Sequence, residues 1–122
     1  MSEVLFQESA NRIRELNNEL VDYIEKIEQK FKYKLLREYE TLDLVNNINN
    51  CTQDMLDELD FLNSIVNLDK VTETIARIYS SCEGALDHYE AGDKDEYYYY
   101  LRVRLKPRIQ LYYRQKDIFE KL

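Results

Sequence analysis

Tryptophan is absent from this chain, histidine and proline occur once each, and only two glycines and two cysteines are found among 122 residues. Scarcity of glycine and proline excludes an all-β architecture, which needs turn residues every 8 to 12 positions. Cys51 and Cys82 fall at apolar positions of helical periodicity, where a free thiol behaves as a small hydrophobe, so no disulfide framework is expected. There is no run of 18 apolar residues and no charged stretch followed by an apolar segment at the start, so no membrane span or secretion signal is expected and a cytoplasmic location is inferred. Glycine-rich phosphate loops, Gly-x-Ser-x-Gly and Cys-x-x-Cys are all missing, and with them the usual signatures of enzymes.

What is present is a chain of one domain's length, 44% hydrophobic and 34% charged, rich enough in apolar residues to offset the entropy of ordering. The spacing predicts an all-α, up-down-up-down bundle of four long helices filling residues 1–122. The first, over 3–34, carries Ile13, Leu16, Leu20, Tyr23, Ile27 and Phe31 at three- and four-residue steps. No glycine or proline marks its end; Thr41, a competent N-cap, is taken as the start of the next helix, with a continuous helix left open.

The second helix, 41–66, has two stripes, one with Leu42, Val45, Thr52, Leu56, Leu59 and Val66 and one with Leu44, Ile48, Cys51, Met55, Leu62 and Ile65. Asn46, Asn47, Asn49 and Asn50 are poor formers of a helix interior, and this stretch is expected to be loose. A third helix follows Asp69 as N-cap, with Val71, Ile75, Ile78, Cys82, Ala85 and Tyr89 in clean register, and stops at Gly92. Asp93, with Glu96 three residues on, reopens the chain as a capping box. The fourth helix runs to the C-terminus with Tyr98, Leu101, Leu105, Ile109, Tyr112 and Phe119 on one face, and Pro107 is expected to kink it.

The net charge of −7 repels phosphate backbones and anionic lipid at long range. Residues 1–92 hold 19 acids against 9 Lys and Arg, whereas 93–122 hold 5 against 8, so the last helix is locally basic. Its Arg102, Arg104, Lys106, Arg108, Arg114 and Lys116 alternate with tyrosines, a pattern that suits nucleic acid. On a helical wheel these charges scatter, and they are expected to pair with the acidic helices instead, with Arg108 snorkelling or bridging a carboxylate. His88 has no Glu three residues before it, as a carboxylate-bridged metal bundle needs, and is read as a half-exposed helix residue. Asp54, Asp57, Glu58 and Asp60 are read as a solvated face. No catalytic residue, metal or cofactor is assigned.

Tyr97-Tyr98-Tyr99-Tyr100 is the most informative local feature, because four consecutive side chains point all around a helix. Some must lie outside the core, and tyrosine is enriched at interfaces. With Tyr98, Leu101 and Leu105 inward, a second stripe of Tyr100, Leu111 and Ile118 is expected to face away. Tyr97, Tyr99, Tyr100, Arg104, Leu111 and Ile118 are therefore the residues expected to meet a partner, either another protein or a second copy in a homodimer. The reading is a non-enzymatic protein-interaction module, adaptor or chaperone-like, with a nucleic-acid-binding accessory protein as its alternative.

The stretch Ala85-Leu86-Asp87-His88-Tyr89-Glu90-Ala91-Gly92-Asp93, followed by Tyr99-Tyr100-Leu101-Arg102-Val103-Arg104-Leu105-Lys106-Pro107, resembles a group of small acidic all-helical proteins of low-GC Gram-positive bacteria. In that group a helix ends in a Gly-Asp turn and the next carries a Tyr-Glu-Leu-x-Pro-like segment, from which Arg102 to Arg104 departs. The likeness covers the last third of the chain and implies a cap and a kink, with no activity. In size, acidity and helix count the chain is also similar to flagellar export chaperones.

Overall fold

The computed structural model describes residues 2–122, and among these it is helical with no strand. Helix α1 spans Ser2–Lys32, α2 Tyr39–Leu62, α3 Asp69–Glu90 and α4 Lys94–Tyr99. The last rod continues from α4 through a π-helical segment, Tyr100–Leu105, into α5, Lys106–Gln115, and a terminal 3₁₀ segment, Lys116–Lys121. Packing runs from α1 to α2, from α2 to α3 and from α3 to the last rod, which returns to α1 through α5 and the 3₁₀ segment. The helices thus enclose one core, as a bundle does.

The stripes that the spacing predicts form most of that core; α2 ends at Leu62 rather than at 66, which leaves Ile65 exposed and Val66 half-buried in the turn beyond it. Ile13, Leu16, Leu20 and Ile27 are buried, joined by Ile24, while Tyr23 and Phe31 sit half-buried at its margin. Every predicted inward residue of the last rod is buried, from Tyr98 to Phe119. Cys51 and Cys82 are buried and free. Burial pushes the Cys51 thiol up to about 12, and it moves Cys82 in the same direction.

Helix ends show how local chemistry sets the boundaries. At the end of α3, Gly92 takes φ 82°, its N–H donates to Tyr89 O and Asp93 N–H donates to His88 O, a Schellman closure. Asp93 then accepts from Glu96 N–H at 3.2 Å, as its capping role requires. At the end of α1 the same closure recurs with Lys34 in glycine's place: φ is 58°, Lys34 N–H donates to Phe31 O and Leu35 N–H to Lys30 O. A β-carbon in this left-handed region costs about 1–2 kcal/mol, so the lysine is held there under strain.

Three expectations are corrected. Thr41 is not an N-cap: α2 begins at Tyr39 after extended Glu38, and buried Thr41 donates its hydroxyl to Leu35 O at 3.1 Å. Asp69 is the first residue of α3 rather than its cap; Asn67 Oδ1 accepts from Asp69 N–H, and Asn63 Oδ1 from Leu68 N–H. The asparagines of α2 lie in regular helix, because Asn46 donates to Leu42 O and buried Asn49 donates to Glu83 at 3.3 Å across to α3.

Proline 107 has no N–H, and its ring would crowd the carbonyl four residues back, that of Val103. The rod answers upstream by winding wider over Tyr100–Leu105, so that Lys106 N–H donates five residues back to Leu101 O. At the far end Asn17 fastens the 3₁₀ segment. Its Nδ2 donates to Lys116 O at 3.0 Å, while its Oδ1 accepts from the buried Tyr112 hydroxyl.

Candidate functional site

The four tyrosines divide as consecutive helix residues must, in directions that differ from the expected ones. Tyr97 is a correction: only 2% exposed, it is a core residue stacked edge-on to Tyr89 and Tyr98, and so unavailable to a partner. Its hydroxyl is buried with no hydrogen-bond partner, and that burial raises its pKa. Tyr98 is buried beside it. Tyr99 faces out at 40% exposure.

Tyr100 does not face away from the bundle either. It lies half-buried across α3, its ring centroid 5.1 Å from His88, over the notch left by Gly84. Arg104 covers it, the guanidinium 5.6 Å from the ring centre. Ile118 is half-buried against the core. Of the six expected residues, Tyr99, Arg104 and Leu111 remain on the surface.

The exposed apolar seam of the last rod is instead Tyr99, Val103, Pro107 and Leu111, at four-residue steps, with Val103 50% and Leu111 44% exposed. Val103 and Pro107 are the seam residues that sequence reasoning missed, Pro107 having been read only as a kink. Leu111 and Pro107 also line a groove of about 280 Å³ against α3, whose other wall carries Glu73, Thr74 and Arg77.

The arginines along this rod do not pair as expected. Among the described residues no ion pair joins Arg102, Arg104, Arg108 or Arg114 to a carboxylate. Arg108 bridges to α3 by donating to Arg77 O at 3.0 Å and Ser81 Oγ at 2.6 Å, neutral acceptors rather than the expected carboxylate. Burial, with Arg77 and Arg104 close by, holds its pKa below the usual arginine value. Arg102, Arg104 and Arg114 lie exposed at the surface.

Of the acidic group on α2, Asp54, Asp57 and Asp60 are exposed, and Glu58 accepts from Ser9 Oγ at 2.6 Å. Among the described residues no cluster of three or more His, Cys, Asp or Glu side chains could hold a metal ion, and no helix is long and apolar enough to cross a membrane. No protein-family model, curated protein or solved structure matches the chain.

Proposed function

We infer that the chain is a non-enzymatic, cytoplasmic protein-interaction module, an adaptor-like bundle with up-down-up-down rods and a bend in the last at Pro107. Its first partner is a second copy of itself. The observation that carries this reading is the seam Tyr99–Val103–Pro107–Leu111, exposed along a rod whose other faces are packed or charged.

The seam is self-complementary. The rod opens with Asp93, Asp95 and Glu96 and continues with arginines to Arg114. Antiparallel pairing about a twofold axis sets Tyr99 opposite Leu111, Val103 opposite Pro107 and Glu96 opposite Arg114, the isologous geometry of a symmetric dimer. Tyrosine and arginine bordering an apolar centre is the composition of such interfaces.

Light scattering across a concentration series tests it. A dimer is expected that Val103→Asp and Leu111→Asp each convert to monomer without loss of helical circular dichroism. Glu96→Arg should weaken it, and adding Arg114→Glu should restore it. A strict monomer at high concentration would sink the reading. The uncompensated arginines beside Tyr113 favour a second reading, nucleic-acid binding; with no mobility shift of RNA or DNA at low salt, where counterion release helps most, it falls.

A further inference from the structure

Away from the seam, the connection between α1 and α2 folds over the neighbouring face of the last rod and leaves a cleft of about 430 Å³. Four cations line it: Lys34 and Arg37 from the connection, Arg102 and Lys106 from the rod. Its remaining walls are Phe31, Leu36 and Tyr98, and no carboxylate contributes. In a chain of net charge −7 this concentration of positive charge is against the overall balance.

Among the described residues nothing neutralises these cations by direct pairing. The carboxylates nearest in sequence, Glu38 and Glu40, are engaged by Lys30 at 2.7 and 4.0 Å. Among the described residues, Lys34, Arg37, Arg102 and Lys106 form no ion pair. Glu28, one turn before Phe31, is the carboxyl that feels the charge of Lys106, yet the two form no ion pair, and burial raises the Glu28 pKa.

The cations are also positioned. The Arg37 guanidinium lies 4.5 Å over the ring of buried Tyr98, and Lys106 Nζ lies 5.6 Å from the Phe31 ring centre. Lys34 is the strained left-handed residue of the α1 terminus, where glycine would sit without penalty. Strain retained at a cation that forms no ion pair among the described residues is the kind that clusters at ligand sites. A smaller cavity of about 140 Å³ adjoins this cleft, sharing Leu36, Arg37 and Tyr98, and is lined by Tyr97, whose buried hydroxyl has no partner.

We propose that this cleft binds a nucleotide, its phosphates held among Lys34, Arg102 and Lys106 and its base stacked on the exposed guanidinium of Arg37. Several separate cations suit a ligand with several negative oxygens. A planar guanidinium backed by an aromatic ring suits a flat base, as in single-strand recognition. The volume falls within the range of small-molecule sites. The proposal is independent of dimerisation, because the cleft and the seam occupy different faces of the rod.

Isothermal titration of the full chain with ATP at physiological salt, beside thermal melts, tests the proposal. Saturable binding is expected, weakened about tenfold or more by Arg37→Ala and by Lys106→Gln, the loss of one charge-assisted contact each, and unchanged by Lys70→Ala, an exposed cation on α3 outside the cleft and the seam. Lys34→Gly should raise the melting temperature of the free protein while weakening ATP, which separates lost binding from lost folding. Pyrophosphate should bind at least about tenfold more weakly than ATP. Absence of saturable ATP binding, indifference to the cleft variants, or equal binding of pyrophosphate would overturn the assignment. Tighter binding of a single-stranded oligonucleotide than of ATP would likewise overturn it, in favour of an extended basic surface.

Discussion

Replacing Gly84 with alanine tests the packing of the last rod on α3 through a change of sign. In an ordinary helix interior the substitution stabilises by about 1 kcal/mol, because glycine carries the larger entropy cost. Here a β-carbon at position 84 would press into the Tyr100 ring, meeting Cε2 well inside van der Waals contact, with Cδ2 and Cζ at 3.0 and 3.2 Å. The ring must swing away from His88 and Arg104, and overpacking of this kind costs about 1–3 kcal/mol. Gly84→Ala is therefore expected to lower stability by about 1 kcal/mol, a fall in melting temperature of roughly 3–5 °C at this chain length. In a Tyr100→Ala background the obstacle is gone and the same change should stabilise by about 1 kcal/mol, a coupling of about 2 kcal/mol between the positions. Urea unfolding of the four proteins in the cycle measures it. Equal stabilisation in both backgrounds would refute the placement of Tyr100 in the notch.

Three further outcomes follow from the buried polar groups. Asn17→Ala strands the Tyr112 hydroxyl and the Lys116 carbonyl, and should cost about 2–3 kcal/mol, with hydrogen exchange speeding first over residues 116–121. Tyr97→Phe removes a buried hydroxyl without a partner and should stabilise by about 1 kcal/mol in urea unfolding; a loss of that size would mean the hydroxyl is satisfied. Alkaline stability reports the buried thiol of Cys51, raised by burial from 9.0 to about 12. The folded state keeps a proton that the unfolded chain releases, so this contribution is complete below about pH 9 and is lost as pH rises toward 12, by about 1.4 kcal/mol per pH unit. Cys82, Tyr97 and Tyr112 shift in the same direction and should steepen the decline, and a Cys51→Ala slope identical to that of the parent would count against it.

The two Schellman closures show why one helix end was legible in the sequence and the other was not. Gly92 and Asp93 have the side chains that their backbone positions favour, so residue types alone located the end of α3 and the start of α4. Lys34 occupies the same left-handed position against its intrinsic preference, and nothing in its chemistry announces it. The core stripes were legible because burial follows helical period directly. Asn49 was misjudged because its partner, Glu83, is 34 residues away, and tertiary contact overrides propensity. For the tyrosine run the principle held while the directions failed. A stripe of Tyr100, Leu111 and Ile118 requires about 100° of turn per residue, and six residues of the path wind otherwise.

That irregular winding also explains how one rod presents four chemically distinct faces. Its residues fall into rows at four-residue steps: Leu101, Leu105 and Ile109 in the core; Tyr98, Arg102 and Lys106 at the cationic cleft; Tyr99, Val103, Pro107 and Leu111 outward; Tyr100, Arg104 and Arg108 along α3. In a regular α-helix each step of four overshoots a full turn by about 40°, so rows of this spacing spiral round the axis and two steps carry a side chain nearly a quarter turn away. Bonding five residues back winds the segment wider and turns back part of that drift. The rows then run along the rod, keeping Arg102 and Lys106 beside Tyr98, and Val103 in line with Tyr99 and Leu111. Proline 107 accounts for the location of the adjustment, since the carbonyl it would crowd belongs to Val103 within the widened turn. A single residue without an N–H thus links the backbone to both the seam and the cleft, which depend on the same alignment.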